Sequence, residues 1–330
     1  MNKIRFGVVG TSSITDWFLK GAFLDGRFKL EAVYSRSREK GEAFAVKYKV
    51  AKVFTDFESI KSHIDAVYIA SPNNCHFEQA KSFLESGVAV LCEKPLCSNA
   101  KEVKELIELS TNKGVPFMEA MISTLNPNFI ALKDNIGRVG RVREYFSSYC
   151  QYSSRYDKFK RGIIENAFKN ELSNGALLDI GIYTIYPMVV LLGKPKSIKA
   201  IGSLLHTGVD SCGSVIFEYD NGVKATVIYS KISNSILPTE VQGEDASLFM
   251  EKINTPRTLT FKSRAGEEDI LTVEHCDNDY YYEVKEFIDM VETKTISHKI
   301  NSHKNSLIVS QILDSIRAQI GVIYPADSIL

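Results

Sequence analysis

Val88-Ala89-Val90-Leu91-Cys92-Glu93-Lys94-Pro95-Leu96 is the stretch on which the reading of this chain turns. Its first five residues are apolar or weakly polar, the length of one buried strand. Glu93 and Lys94 then arrive together, and Pro95, which has no N–H, ends any ladder. Two charges just past a buried strand make either a solvated turn or a site, because ligands of open α/β sheets bind outside the carboxyl ends of the strands. The neighbouring stretches decide between the two.

Upstream, Asp65–Ala70 reads as another buried strand, with Ser71-Pro72-Asn73-Asn74-Cys75-His76 at its carboxyl end. Pro72 stiffens that turn, and Asn73 suits either a ligand or a helix cap. His76 suits a ligand or its own backbone. A helix over His76–Ser86 closes at Gly87. Earlier still, Ile4–Val9 is a strand, and Gly10-Thr11-Ser12-Ser13-Ile14 leads into a helix with Ile14, Phe18, Ala22 and Leu24 on one face. Strand, small-residue turn and helix together offer backbone N–H groups to a phosphate. Of the Gly-x-Gly-x-x-Gly fingerprint, only the first glycine is present. The strand Phe28–Tyr34 ends at Ser35-Arg36-Ser37-Arg38. An NAD site places an acid there for the ribose 2′-hydroxyl, and Glu31 lies too early. Ser35, Arg36 and Arg38 instead suit a 2′-phosphate, so NADP(H) is favoured over NAD(H).

A helix over Ser37–Tyr48 and a short strand at Lys52–Phe54 follow. Downstream of the opening stretch, Asn99 and Glu102 form a capping-box start to a helix over Ala100–Asn112, and Pro116–Ala120 is a sixth strand. Strands alternating with helices predict a Rossmann-type, doubly wound parallel sheet over residues 1–121.

Residues 122–330 read differently. Asn126–Asn135 is a helix, Arg141–Gln151 a strand, and Ser153–Glu171 a polar, aromatic loop suited to shaping a pocket. Ala176–Leu192 is a long apolar helix that Pro187 should bend. Within it, Asp179 and Tyr183 stand four apart on one face, an acid and a phenol that need partners or a wet cavity. Strands are then expected at Ser197–Leu205, Ser214–Tyr219, Val223–Ser230, Glu240–Gln242, Ser247–Glu251, Thr258–Lys262 and Ile270–Glu274, with a hairpin at Asp220-Asn221-Gly222. Runs of strands without helices between them predict an α+β domain with a large, mostly antiparallel open sheet. Helices near Tyr280–Glu292 and Ser302–Ile320 end the chain, and these final helices are free to pack back on the first domain. The open sheet face needs a cover, so a homodimer or homotetramer through it is expected.

Composition narrows the function. Among 330 residues, 44% are hydrophobic, and 40 basic residues balance 40 acidic ones. Neither nucleic acid nor an anionic membrane is expected as a partner. No apolar run is expected to approach a membrane span, and the N-terminus leads straight into a strand. The six cysteines, at 75, 92, 97, 150, 212 and 276, show no Cys-x-x-Cys pair, which predicts free thiols in a reducing cytoplasm. The six histidines are dispersed, so no metal site is expected.

Four motifs now stand together: Gly7-Val8-Val9-Gly10-Thr11, Ser71-Pro72-Asn73 with His76, Glu93-Lys94-Pro95, and Gly175-Ala176-Leu177-Leu178-Asp179-Ile180-Gly181 with Tyr183. With them the chain resembles the Gfo/Idh/MocA family of nicotinamide-dependent oxidoreductases along its whole length. The resemblance implies hydride transfer between nicotinamide and a hydroxyl or carbonyl of a sugar, cyclitol or dihydrodiol-like small molecule. It assigns Lys94, Asp179 and Tyr183 to catalysis. Tyr183 stands where many members have a histidine, as in the dihydrodiol/xylose dehydrogenase branch. Tyr183 would exchange the proton, Lys94 would favour its phenolate, and Asp179 would hold Lys94 or a substrate hydroxyl. Gly10, Thr11, Ser12, Ser13 and Ile14 would hold the pyrophosphate. Ser71, Pro72, Asn73, His76, Glu93 and Lys94 would line the nicotinamide side. A non-catalytic cofactor sensor and a non-redox enzyme with bound nicotinamide are the alternatives.

Overall fold

The chain alternates β1 (Ile4–Val9), α1 (Ser13–Ala22), β2 (Phe28–Tyr34), α2 (Arg38–Tyr48), β3 (Lys52–Phe54), α3 (Phe57–Lys61), β4 (Ala66–Ile69), α4 (His76–Glu85), β5 (Ala89–Glu93), α5 (Ala100–Lys113) and β6 (Phe117–Ala120). This is a computed structural model, and it describes residues 3–328. The six strands form one sheet in the order β3-β2-β1-β4-β5-β6, all parallel. The central strands β1, β4 and β5 are apolar nearly throughout because helices cover both faces. The Asn99 cap read from sequence is in place, its side chain accepting the Glu102 N–H at the start of α5. Glu102 in turn accepts the Ser98 N–H at 2.9 Å. At the start of α2 the Ser37 hydroxyl likewise accepts the Lys40 N–H.

The chain forms two units, Met1–Ile122 with Cys276–Ser306, and Ser123–His275 with Leu307–Leu330. The second unit contains α6 (Pro127–Asn135), β7 (Val142–Cys150), α7 (Tyr156–Lys160), α8 (Ile182–Leu192), β8 (Ser197–Leu204), β9 (Asp210–Glu218), β10 (Lys224–Ser230), β11 (Thr239–Gly243), β12 (Ala246–Met250), β13 (Leu259–Ser263) and β14 (Glu268–Ile270). Its strands make an eight-stranded sheet in the order β14-β13-β12-β11-β7-β10-β9-β8. All pairs are antiparallel except β7 with β10. Period-two burial sets one face against the core: Tyr145, Ala225 and Phe217 stand opposite one another across β7, β10 and β9 and are fully buried.

Three expectations shift. The last strand is Glu268–Ile270 rather than Ile270–Glu274, because the turn after β13 places Asp269 opposite Phe261. The segment Ser153–Glu171 is an ordered arm: Phe159, Ala167, Phe168 and Val209 pack into a small core of their own, with Tyr156 and Leu205 against it. The stretch Asn170–Leu192 is long and apolar enough to cross a membrane, contrary to the expectation, and 72% of that window is buried inside the protein, as in a core helix.

Two further helices end the chain. The first, α9 (Tyr280–Thr293), belongs to the first unit and lies against α1, where a Cβ on Gly21 would come within 2.7 Å of the Tyr281 nitrogen. Arg27 ties the same helix to the sheet. Its guanidinium bonds Asp25 at 2.7 Å, Asp289 at 2.6 Å and Glu292 at 2.8 Å. The last helix is α10 (His303–Ile320).

Candidate active site

In the first unit, parallel pairing brings the strand ends level. Val9 stands opposite Tyr34 and Ile69, Ile69 opposite Cys92, and Cys92 opposite Glu119. The residues that follow, Gly10, Ser35, Ala70 and Glu93, therefore line one edge. Strand order reverses between β1 and β4, which is where open sheets of this kind hold ligands. Gly10 has φ +105°, and a Cβ there would lie 2.6 Å from the Ala70 carbonyl oxygen. Only glycine lets the turn approach so closely. The Thr15 hydroxyl donates back to the Gly10 carbonyl at 3.1 Å and is fully buried, so it leaves the mouth of the turn open. Ser12 caps α1 through its extended backbone alone, and Ser12 and Ser13 are exposed.

His76 joins two of these turns. Its ring is fully buried, with Nδ1 2.9 Å from the Pro95 carbonyl oxygen and Nε2 3.0 Å from that of Ser71. Burial keeps its pKa below the ordinary histidine value. A neutral ring carries one N–H, so His76 donates to one of these carbonyls and stands beside the other, lodged between the two turns. Ser71 is held further by its hydroxyl, which donates to Gln79 Oε1 at 2.6 Å. The Lys94–Pro95 peptide is cis. Glu93 is fixed from below: the buried Tyr68 ring stacks on Phe18 at 3.6 Å, and its hydroxyl donates to Glu93 Oε1 at 2.5 Å. Lys94 sits at the tip, partly exposed.

Two buried acids lie beneath this turn, and sequence reasoning missed both. Glu119 Oε1 accepts the Leu96 N–H at 3.0 Å, and burial pushes its carboxyl up to about 7. Glu283, on α9, is fully buried, and burial together with the nearby Glu93 charge raises its pKa well above the usual range. An acid in the last turn of an otherwise apolar strand was the available signal for Glu119.

At the end of β2, Arg36 is exposed and forms no ion pair among the described residues. Arg38 turns along α2 toward the Val53 carbonyl at 3.1 Å and Glu42 at 3.2 Å. Ser35 is buried, with Gly41 packed on it. Glu31 is held by Lys29 and Lys52, whose ammonium groups pull it down to about 2.

In the second unit, α8 is preceded by a π turn, Leu177–Gly181. From Gly175 to Val189 every residue is buried except Asp179 and Tyr183. Asp210 anchors the turn, its Oδ2 accepting the Leu177 N–H at 2.7 Å. Gly175, at φ +149°, makes room for it, since a Cβ there would lie 2.2 Å from Asp210 Oδ1. Gly181 lies flat on the buried Tyr229 ring, its Cβ position 3.1 Å away. Both glycines of the motif therefore serve packing. Tyr183 meets Tyr149 edge to face, with centroids 5.7 Å apart. Asp179 forms an ion pair through Oδ2 with Lys231, which follows β10 and is 4% exposed. Sequence reasoning gave Asp179 to Lys94 or to a substrate hydroxyl, and Lys231 was missed.

Residues 4–121 match the description "oxidoreductase family, NAD-binding Rossmann fold", and residues 135–249 match the Gfo/Idh/MocA C-terminal domain. The scyllo-inositol 2-dehydrogenase (NADP(+)) IolU of Bacillus subtilis is 45% identical over 98% of this chain and 99% of its own length. This chain belongs to the Gfo/Idh/MocA oxidoreductase family. Mouse trans-1,2-dihydrobenzene-1,2-diol dehydrogenase, 27% identical over 98% of this chain and 99% of its own, places it in the dihydrodiol dehydrogenase-like branch of the Gfo/Idh/MocA enzymes. The 3-ketoreductase KijD10 of Actinomadura kijaniata, in complex with NADP and TDP-benzene, shares the fold at a TM-score of 0.84 and 20% identity, covering 97% of this chain and 98% of its own.

The first unit of this Gfo/Idh/MocA protein fits a nicotinamide dinucleotide. The Gly10 cradle tolerates no Cβ, and the first turn of α1 opens beside it. The buried acids below give the same unit a pH signature. The neutral form of Glu119 is favoured in the fold, so its contribution is complete below the ordinary 4.5 and is lost as pH rises toward about 7. Urea unfolding at pH 5 and pH 8 should show a loss of up to about 3 kcal/mol from this group. Glu119→Gln should flatten that part of the decline, and an unchanged pH dependence in the variant would exclude Glu119 as its source.

Proposed function

We propose that this enzyme is an NADP(H)-preferring dehydrogenase or reductase whose substrate is a cyclitol, sugar or dihydrodiol-like polyol. The observation that carries the reading is the pair Asp179 and Tyr183, the two partly open side chains of a segment otherwise buried from Gly175 to Val189. A carboxylate and a phenol four residues apart offer an acceptor and a proton-exchanging hydroxyl to one small polar molecule. The identity to a scyllo-inositol 2-dehydrogenase supports the cyclitol class.

Bound nicotinamide supplies the hydride acceptor or donor. The chain's own residues handle the proton and the charge. On oxidation Tyr183 takes the proton from the reacting hydroxyl, and on reduction it returns one to the oxygen. A free phenol, with a pKa of about 10, is poorly matched to neutral pH. In this reading the Lys94 ammonium favours the phenolate and stabilises the developing oxyanion. Asp179 accepts a hydrogen bond from the polyol. Glu93 holds the Lys94 turn in place through Tyr68.

NADP preference is supported by the exposed Arg36 and by the engagement of Glu31 with two lysines away from the strand end. The six unpaired cysteines support a reducing compartment. Exposed apolar side chains on β8 and β9, with Ile201 82% and Ile216 51% exposed, support a homodimer or homotetramer through the second sheet.

Lys94→Ala and Tyr183→Phe should each lower scyllo-inositol turnover with NADP by on the order of a hundredfold or more, with NADPH binding near normal. Full turnover in both variants would sink the assignment. Arg36→Ala should weaken NADPH by about tenfold or more and leave NADH nearly unchanged, read by fluorescence titration. Equal weakening of both would refute the 2′-phosphate role. Light scattering at micromolar protein should show a dimer or tetramer, and Ile216→Glu should shift it toward monomer. A wild-type monomer would refute the oligomer.

A further inference from the structure

Lys231 has no place in the reading above, yet it is among the most deeply buried charges of the second unit, at 4% exposed. An ammonium taken from water at this depth is costly unless it is paired. Its one ion pair among the described residues is with Asp179. Also near it are the Phe168 ring, 5.8 Å from Nζ, and the Asp210 carboxylate, whose ionised form the lysine charge favours. Its backbone is equally fixed. The Lys231 N–H donates to the Ser211 carbonyl at 2.9 Å, and the Lys231 carbonyl accepts the Ser153 N–H at 2.8 Å. Four pieces of chain converge here: the end of β10, the start of β9, the arm that begins at Ser153, and the π turn.

The two members of the pair differ in depth. The Lys231 side chain is 6% exposed and that of Asp179 is 35% exposed. The lysine is therefore set within the unit, while the carboxylate reaches from it toward the surface. The Asp179 backbone is held independently, because its N–H donates to the Gly175 carbonyl at 3.2 Å and Asp210 caps the same turn. With the backbone fixed from one side and Oδ2 from the other, the orientation of the second oxygen is determined.

We infer that Lys231 is a positioning residue for the reaction: it holds Asp179 in a single orientation, so that one carboxylate oxygen is presented to substrate. This rests on the proposed roles of Asp179 and Tyr183. Lys231 touches neither substrate nor cofactor and acts only through Asp179.

The test is a double-mutant cycle on the full-length protein, assayed with scyllo-inositol and NADP. Lys231→Met should lower kcat by on the order of a hundredfold, as displacement of a reacting group does. NADPH affinity, a property of the first unit, should be unchanged. In an Asp179→Asn background the same substitution should have no further effect, because the group it positions is already gone. Should Lys231→Met not fold, Lys231→Gln takes its place in the cycle. Turnover within twofold of wild type in the single variant would overturn the inference. So would an undiminished effect in the Asp179→Asn background, which would mark Lys231 as merely structural. Tyr183→Phe serves as the control: if it retains full activity, the functional reading itself fails. If Tyr183→Phe is inactive and Lys231→Met is not, only the role of Lys231 fails.

Discussion

Val9, Tyr34, Ile69, Cys92 and Glu119 stand in one row across a parallel sheet, and the rest of the first unit follows from that alignment. Parallel pairing requires each strand to be followed by a crossover, so each strand leaves by a turn on the same edge. The edge then collects Gly10, Arg36, Ser71 and the Glu93–Lys94 pair without any further device. What remains is to make the turns rigid. Glycine does so at residue 10 by close approach, and His76 does so by standing between the carbonyls of two turns.

Burial is applied unevenly to the charged groups. Glu119 and Glu283 are fully enclosed and driven toward the neutral form, whereas Glu93, between them and Lys94, is partly exposed and fixed by the Tyr68 hydroxyl. Glu119 ties the turn through the Leu96 N–H, and the neutral form that both acids favour limits like-charge repulsion with Glu93. The second unit takes the opposite course at Lys231, where a buried cation is matched by the half-exposed carboxylate of Asp179. In both units the more exposed charge is the one to which the proposed chemistry gives a role.

Much of this was legible in the sequence. All six parallel strands were marked there, and Asn99 with Glu102 marked a cap: Asn99 accepts the Glu102 N–H, and Glu102 returns to the N–H of Ser98, one residue before the cap. The second sheet was legible as strands but less so at its ends. β9 begins at Asp210, four residues before Ser214, because its first residues are polar or small and do not alternate. Lys231 was not legible at all. A lysine just after a strand reads as a solvated end, and its partner lies 52 residues away in sequence. Ser35 and His76 look like ligand groups by type and position, and only the structure shows that Gly41 packs against one and that the ring of the other stands between two backbone carbonyls.

The π turn at Leu177–Gly181 has a meaning in chain length rather than chemistry. Such a turn holds one residue more than an α turn, so it amounts to a single-residue insertion at the head of a helix. Each residue of an α-helix turns the chain by about 100°, so removing one from this turn would rotate everything before it relative to α8. Gly175, shaped to admit Asp210, would then face elsewhere, and the Leu177 N–H would lose its carboxylate cap. The turn is thus tied to a residue count as much as to residue types. Substitution can tune this segment, but a one-residue deletion would dismantle it.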